Sequence, residues 1–271
     1  MKFLIIGDPH GSENIFKIPE KILKEVDGII VPGDLGKADL LRKYFFKYSV
    51  KGIDWKKELP DRLTKKDLEK AQSEPVLSCE KILKYLTKFS KVILTYGNIE
   101  PYSGENITRE RNRKHGINIP LYSAVFEKLS NLEILNFRKK EVGGVKFAGV
   151  PYYMDTEWAL EFTPENSKNR CDAQEQTPKV ESFLQTLEKV DVLIFHIPPK
   201  GILDKVDSTY GAPEKWWGKH AGSSSILKYI KEKQPKFVIC GHIHEGKGIS
   251  KLGNTVIINA GVNGDYQVTE V

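Results

Sequence analysis

The sequence predicts an α/β fold built around a parallel sheet, and three observations carry that expectation. Short, wholly apolar runs of four to six residues recur along the chain, the pattern of strands buried on both faces. The first two of them are separated by a helical stretch, so strand, helix and strand fit within about 30 residues, the length of a parallel crossover unit. Most of these runs stop at or next to a glycine or proline, with an Asp, Asn or His just beyond. Ligands of parallel sheets gather beyond the carboxyl ends of the strands.

Taken in order, residues 2–7 (Lys-Phe-Leu-Ile-Ile-Gly) form the first strand, and Asp8-Pro9-His10-Gly11 is the loop beyond it. Residues 17–26 are predicted helical, and Gly28-Ile29-Ile30-Val31 is a second strand that runs into Pro32-Gly33-Asp34. Residues 37–90 are polar and helix-prone. Leu40, Leu41, Tyr44 and Phe45 supply one apolar stripe, Ile82, Leu83 and Leu86 another. Pro60 and Pro75 are expected to break this segment. A third strand at 91–96 ends in Gly97-Asn98-Ile99-Glu100, and the polar, basic residues 104–122 are expected as loop plus a short helix.

Residues 132–136 and 145–149 flank Gly143-Gly144 as a predicted hairpin. The polar stretch 155–178, with Pro164 and Pro178, is expected to run over the surface. A helix at 179–189 then leads into a strand at 190–195, followed by His196. Residues 202–222 form a loop carrying Trp216, Trp217 and His220, and serines cap a helix at 223–233. The run Phe237 to Cys240 is a strand broken by Gly241, with His242 and His244 just past it. Residues i and i+2 of an extended chain point the same way, so these two imidazoles share a side. Residues 256–259 and 266–271 supply the closing strands. Neither an internal repeat nor a long linker divides the chain, so one domain is expected over 1–271, with a basic helical insertion at about 37–90.

Composition narrows the field. Hydrophobic residues make up 39% and charged residues 29%, the balance of an ordinary soluble protein. No apolar run approaches the roughly 20 residues that span a bilayer, and the first strand is too short for a signal-peptide core. A cytoplasmic protein with no membrane partner is expected. The three cysteines, Cys79, Cys171 and Cys240, are odd in number and far apart, which indicates neither a disulfide framework nor a thiolate zinc site. The net charge is +6, and the segment from Lys37 to Lys88 holds 14 Lys and Arg against 8 Asp and Glu, an excess equal to that of the whole chain. Such a segment would attract a polyanion. Because its charges are mixed in sign and scattered, a solvated Lys-rich surface is the favoured reading.

The residues at the strand ends are Asp8, His10, Asp34, Asn98, His196, His242 and His244. Singly, each has an ordinary explanation: Asp8 and Asp34 as helix caps, Asn98 in a turn, His196 packed before Pro198-Pro199. Together they form a set of imidazole, carboxylate and amide donors suited to divalent transition metals. None is expected to need an unusual backbone conformation beyond the neighbouring glycines.

The ordered series Asp8-Pro9-His10, Gly33-Asp34, Gly97-Asn98-Ile99-Glu100, His196 and Gly241-His242-Ile243-His244 resembles the calcineurin-like metallophosphoesterases, over residues 7 to 244. The stretch from His220-Ala221-Gly222-Ser223 through Gln234-Pro235, and His196 with Pro198-Pro199 and Gly201, are similar too. The resemblance implies a four-layer α/β/β/α sandwich with two divalent metal ions (Mn, Fe, Zn or Ni). By that likeness Asp8, His10 and His244 hold one ion, Asn98, His196 and His242 the other, and Asp34 bridges them. Two such ions, two carboxylates and a bridging hydroxide sum to about +1 by formal count, which attracts a phosphate anion. A metal pair lowers the pKa of bound water and clamps both oxygens of an in-line displacement. The expected reaction is hydrolysis of a phosphodiester, in a small-molecule or nucleotide substrate, by a metal-bridging hydroxide.

One position departs from the family pattern. Ile99 stands where the family usually has a histidine, which steadies the substrate phosphate and helps protonate the leaving group. Isoleucine has no group for either task. Bacterial and archaeal relatives with Cys there still act on phosphodiesters, so the expectation is a preference for diesters over monoesters. Glu100 is expected to orient a metal ligand or water, a solvated loop carboxylate being the alternative. For His220 a structural role at a helix end is favoured over contact with the phosphate. Trp216 and Trp217 are expected to anchor their loop, with base stacking as the alternative. Two other functions stay open: a nuclease on single-stranded nucleic acid, prompted by residues 37–90, and a non-catalytic metal-binding scaffold for protein interaction, prompted by Ile99.

Overall fold

Alternation along the strands builds the layers. In β1 (Lys2–Ile6), Phe3 and Ile5 face one way and Leu4 and Ile6 the other, and all four are buried. The same split runs through β2 (Gly28–Val31) and β3 (Lys91–Leu94). The computed structural model describes residues 1–49, 61–100, 105–165 and 167–271.

β1, β2, β3 and β4 (Leu132–Ile134) are parallel, and β11 (Tyr266–Glu270) runs antiparallel to β1, giving the order β11-β1-β2-β3-β4. The second sheet comprises β5 (Arg138–Val142), β6 (Val145–Val150), β7 (Val192–Phe195), β8 (Phe237–Cys240), β9 (Gly248–Leu252) and β10 (Thr255–Asn259). Its order is β5-β6-β7-β8-β10-β9, parallel in the middle with antiparallel edges. Phe3, Ile5, Ile30 and Ile93 meet Phe147, Ile194, Ile239 and Ile258 between the sheets.

Helices cover both outer faces. Leu4, Ile6, Val31 and Leu94 pack on α1 (Glu20–Lys24), α3 (Lys65–Leu86) and α5 (Tyr122–Phe126). Leu193, Phe195 and Val238 pack on α7 (Lys168–Thr186) and α8 (Ser224–Lys233). The result is the α/β/β/α sandwich that the resemblance implies. Among the described residues the further α-helices are α2 (Asp39–Ser49), α4 (Asn106–His115) and α6 (Thr156–Phe162).

Several local expectations are corrected. Pro75 does not break the chain: it lies buried inside the 22-residue α3, where burial of Leu68, Val76, Ile82, Leu83 and Leu86 outweighs the roughly 3 kcal/mol a helical proline costs. Pro60 lies outside the described residues. Residues 155–178 are not a surface excursion. They form α6 and much of α7, because Ala159, Phe162, Ala173, Val180 and Leu184 recur at helical spacing and are buried. The helix predicted at 17–26 is a 3-10 turn at Glu13–Lys17 followed by α1, divided at Pro19.

The turn at Gly143-Gly144 is a hairpin, but its first strand is β5, paired Val142 to Val145. Residues 132–134 are β4 in the other sheet, and the chain changes sheets at Leu135–Phe137, bonded first to Leu94 and then to Gly149. The charged, exposed side chains of β5 hide its strand character. The strand β9 went unpredicted. The later part of the 37–90 segment packs in the helical layer through Val76, Cys79, Ile82, Leu83 and Leu86. Three of its lysines are ion-paired at the surface: Lys37 with Asp39 and Glu74, Lys81 with Glu13, and Lys84 with Glu80.

Candidate metal centre

The carboxyl ends of β1, β2, β3, β7 and β8 meet at one rim of the sandwich, and the seven side chains singled out by sequence meet with them. They form a closed ring of contacts. Asp8 Oδ2 lies 3.2 Å from His244 Nε2, and that nitrogen lies 3.3 Å from His10 Nε2. His10 Nε2 is 3.9 Å from Asp34 Oδ2, which lies 3.6 Å from His196 Nε2. His196 Nε2 is 3.3 Å from Asn98 Oδ1, which in turn is 3.0 Å from His242 Nδ1. The backbone N–H of His242 donates back to Asp8 Oδ2 at 2.7 Å.

Two triads in this ring have their donor atoms within 4.8 Å of one another: Asp8, His10 and His244, and Asp8, Asp34 and His196. Asp8 is common to both. Asp34, the bridging residue by resemblance, faces His10 on one side and His196 on the other.

Backbone geometry corrects one expectation. His10, Asp34 and His242 adopt left-handed conformations, with φ of 45°, 51° and 63°, which cost a residue bearing a Cβ about 1 kcal/mol or more each. Each is held by its own amide: His10 N–H on the Asp34 carbonyl (2.9 Å), Asp34 N–H on Glu100 Oε2 (2.9 Å) and His242 N–H on Asp8. Gly97 and Gly241 permit the close approach, since a Cβ on Gly97 would strike Asp34 and one on Gly241 the Asp8 carboxylate.

The donor chemistry fits divalent cations. Asp8 Oδ1 is buried with no hydrogen-bond partner among the described residues, an arrangement that is costly unless something positive faces it. His196 Nδ1 donates to the Pro32 carbonyl at 3.0 Å, which leaves the Nε2 lone pair aimed at Asp34 and Asn98, the tautomer a metal ligand needs. Burial pushes the Asp8 and Asp34 carboxyls up, but His196 and the other imidazoles pull them below the ordinary carboxylate range. Burial lowers His196, and the two carboxylates more than reverse this, raising it to about 9. His242 is pushed down to about 3 by burial and by His196, and burial also lowers His10. Two buried carboxylates thus draw positive charge to one point, onto His196 when no cation is there, while burial favours the neutral form of His10 and His242, the electrostatic demand of a cation site.

Glu100 is no solvated carboxylate. It is buried, with Oε2 accepting the N–H groups of Asp34 (2.9 Å) and Gly97 (2.8 Å) and Oε1 that of Leu35 (2.9 Å). Burial and the Asp34 charge raise it to about 7. It clamps the β2 and β3 loops together beneath the ring. His220 stands half-exposed, 2.7 Å from the buried Asp204, which also accepts the Gly201 and Gly222 N–H groups. It belongs to the loop framework next to the cap of α8. Trp216 packs on Trp158 and Phe162, whereas Trp217 is partly exposed and donates to the Ala212 carbonyl.

Two aromatic residues were missed by sequence. The ring of Tyr152 lies 5.2 Å from that of His242 and 5.9 Å from that of His196. It stands two residues past the end of β6, the same strand-end position as the others, but without a glycine break or a ligand-type side chain to mark it. Tyr210 lies 5.2 Å from His244, carried there by the 202–222 loop, whose backbone accepts a hydrogen bond from Arg42. Asn259 was passed over as well: its side chain ties Ile243 to Gly261 and steadies the turn carrying the two histidines.

A double-sheet α/β protein with candidate N- and O-donor metal ligands at its strand ends is the class that fold and rim define. The chain belongs to the calcineurin-like phosphoesterase family, whose model matches residues 1–246. That family comprises metal-dependent phosphoesterases that use divalent ions. An uncharacterized protein of Methanocaldococcus jannaschii, MJ1162, is 30% identical over 50% of this chain and 57% of its own length. A UPF0046 protein of Caenorhabditis elegans is 30% identical over 54% of this chain and 46% of its own. The human metallophosphoesterase domain-containing protein 1 is 40% identical over 28% and 21%. The matched part of the chain thus spans about half the length of the first two relatives. A crystal structure 17% identical in sequence superposes over 99% of this chain and 98% of its own with a TM-score of 0.64, a likeness of fold. Among the described residues no helix is long and apolar enough to cross a membrane.

Proposed function

We propose that this chain, a single domain over 1–271, hydrolyses phosphodiesters with two divalent metal ions held by Asp8, His10, Asp34, Asn98, His196, His242 and His244. The observation that carries the proposal is the closed ring of seven residues, one of which, Asp8, has a buried carboxylate oxygen with no hydrogen-bond partner among the described residues. Divalent ions bound there supply Lewis-acid activation of water and neutralise phosphate charge. The chain's own groups prepare the rest. Pro32 fixes the tautomer of His196, Glu100 holds the Asp34 backbone, and Tyr152 and Tyr210 wall the ligating histidines. Ile99 places no proton donor beside Asp34, although its backbone N–H bonds Asp34 Oδ1 at 2.9 Å. Esters with good leaving groups and a single negative charge therefore suit the site best. The unpaired, buried thiols of Cys79 and Cys240 accord with residence in the cytoplasm.

The test loads purified protein with Mn²⁺, Fe²⁺, Zn²⁺ or Ni²⁺, counts ions by elemental analysis, and compares kcat/KM on bis- and mono-(p-nitrophenyl) phosphate. Two ions per chain, a diester preference, and loss of activity together with a lower Tm on chelation are expected. A clear monoester preference, or fewer than one ion per loaded chain, overturns the proposal.

A further inference from the structure

Beside the Asp8, His10 and His244 part of the ring opens a cleft of about 500 Å³, within the size range of small-molecule sites. Its walls are segments tied to those same residues. Asn14, Lys17 and Ile18 follow His10 in the chain, and Lys247 follows His244. The floor, 262–265, lies against the first strand end: Val262 bridges Asp8, Asn263 N–H donates to the Asp8 carbonyl (2.9 Å), and Gly7 N–H donates to that of Asp265. Tyr210, whose ring lies edge-on to His244, closes the remaining side.

The lining indicates what would fit. Tyr210 and Tyr266 are 38% and 42% exposed, leaving ring faces open to a flat ligand. Asn14 is occupied, since it donates to the Asn263 carbonyl and accepts from Lys17. The side-chain amide of Asn263 has no hydrogen-bond partner among the described residues, and an amide can both donate to and accept from a base edge. Lys17 and Lys247 outnumber Asp265, the partner of Lys247 at 2.9 Å, so the cleft carries a net positive charge. Aromatic faces, a free amide and ammonium groups suit a nucleobase on an anionic linkage. They suit neither an acyl chain, which needs apolar walls, nor a bare phosphate, which needs no ring. We infer that this cleft receives the nucleoside arm of a nucleotide-type phosphodiester whose phosphorus lies at the ring, with the base against Tyr266 and Tyr210 and its edge at Asn263. The inference rests on the phosphodiesterase reading and names its substrate class.

Three esters with one leaving group isolate the arm: the p-nitrophenyl esters of thymidine 5′-phosphate, of methyl phosphate and of phenyl phosphate, assayed with Mn²⁺-loaded full-length protein. The expected kcat/KM order is nucleoside, phenyl, methyl, with the nucleoside ester ahead of the methyl ester by on the order of tenfold or more. The ratio should fall towards one in Tyr266→Ala, and Tyr266→Phe should restore it, because stacking needs the ring and not the hydroxyl. Both rates come from the same preparation, so a partly misfolded variant cannot imitate a change in the ratio. A ratio near one in the unaltered protein, or one that survives Tyr266→Ala, overturns the inference while leaving the hydrolysis reading standing. If none of the esters is hydrolysed, the hydrolysis reading fails instead. Calorimetry of AMP against ribose 5-phosphate then decides the cleft alone: tighter AMP binding that Tyr266→Ala abolishes supports it, and equal binding refutes it.

Discussion

Replacing Glu100 by glutamine changes one atom and tests how the ring is held. The two carboxylate oxygens accept three backbone N–H bonds, from Asp34 and Gly97 on one oxygen and from Leu35 on the other. A glutamine amide has a single acceptor oxygen. Its better orientation keeps Asp34 and Gly97 satisfied and turns an NH₂ group against the Leu35 N–H, so two buried donors lose an acceptor. At about 1–3 kcal/mol for each orphaned donor, the loss is about 4 kcal/mol. With about 2–4 °C per kcal/mol for a large domain, Tm should fall by on the order of 10 °C. The neutral glutamine also relieves a buried charge, because burial and Asp34 raise the Glu100 carboxyl to about 7, so part of this fall is offset at pH 8 and the fall grows as pH drops below 7. Asp34, left-handed at φ 51°, also loses the anchor of its amide, so metal affinity should fall about 10- to 100-fold, the usual effect of removing a group that orients a ligand. Differential scanning calorimetry of metal-free protein and a metal titration read the two effects separately. A Glu100→Gln protein that melts within about 2 °C of the parent and binds metal equally well would refute this account of the clamp.

Ile99→His should raise kcat/KM for monoesters relative to diesters by about tenfold or more, since it restores a proton donor next to Asp34; steady-state kinetics on both nitrophenyl phosphates checks it. Ser223→Ala should cost about 2 kcal/mol in urea unfolding, because that hydroxyl caps α8 through Ile226 N–H and joins Asp155 and Tyr153 in a buried network. Asp191 accepts the Lys146 N–H and pairs with Lys236, both at 2.9 Å, and these contacts hold its carboxyl below the usual range. A depressed folded pKa means stability that is present above the ordinary carboxylate pKa of about 4 and lost as pH falls below it. Asp191→Asn should therefore cost about 1 kcal/mol at pH 7, with the gap closing near pH 3; urea titrations at the two pH values measure it.

How much was legible follows from how local each signal is. An uninterrupted apolar run and a glycine or proline stop are properties of a few consecutive residues, so β1, β2, β3, β7, β8 and the ligand-type residues beyond them could be read directly. Side chains placed at the carboxyl ends of parallel neighbours have to meet, and for this reason seven scattered residues could be collected before their distances were seen. Pro75 and Pro178 show the opposite case, where burial by partners remote in sequence keeps a helix going through a residue that locally opposes it.

Sequence by itself determined the α/β class, the strand ends and the donor types, because these depend on residue chemistry and short-range pattern. Only the tertiary structure decided that 132–134 joins one sheet and 138–142 the other, since a short strand can pair with whichever edge the chain brings near. It alone turned His10, Asp34 and His242 into left-handed backbone, where hydrogen bonds from other strand ends outweigh the strain. It also placed Glu100 beneath the ring and Tyr152 and Tyr210 against the histidines. A carboxylate or a phenol carries no mark in sequence of the neighbours that folding will give it.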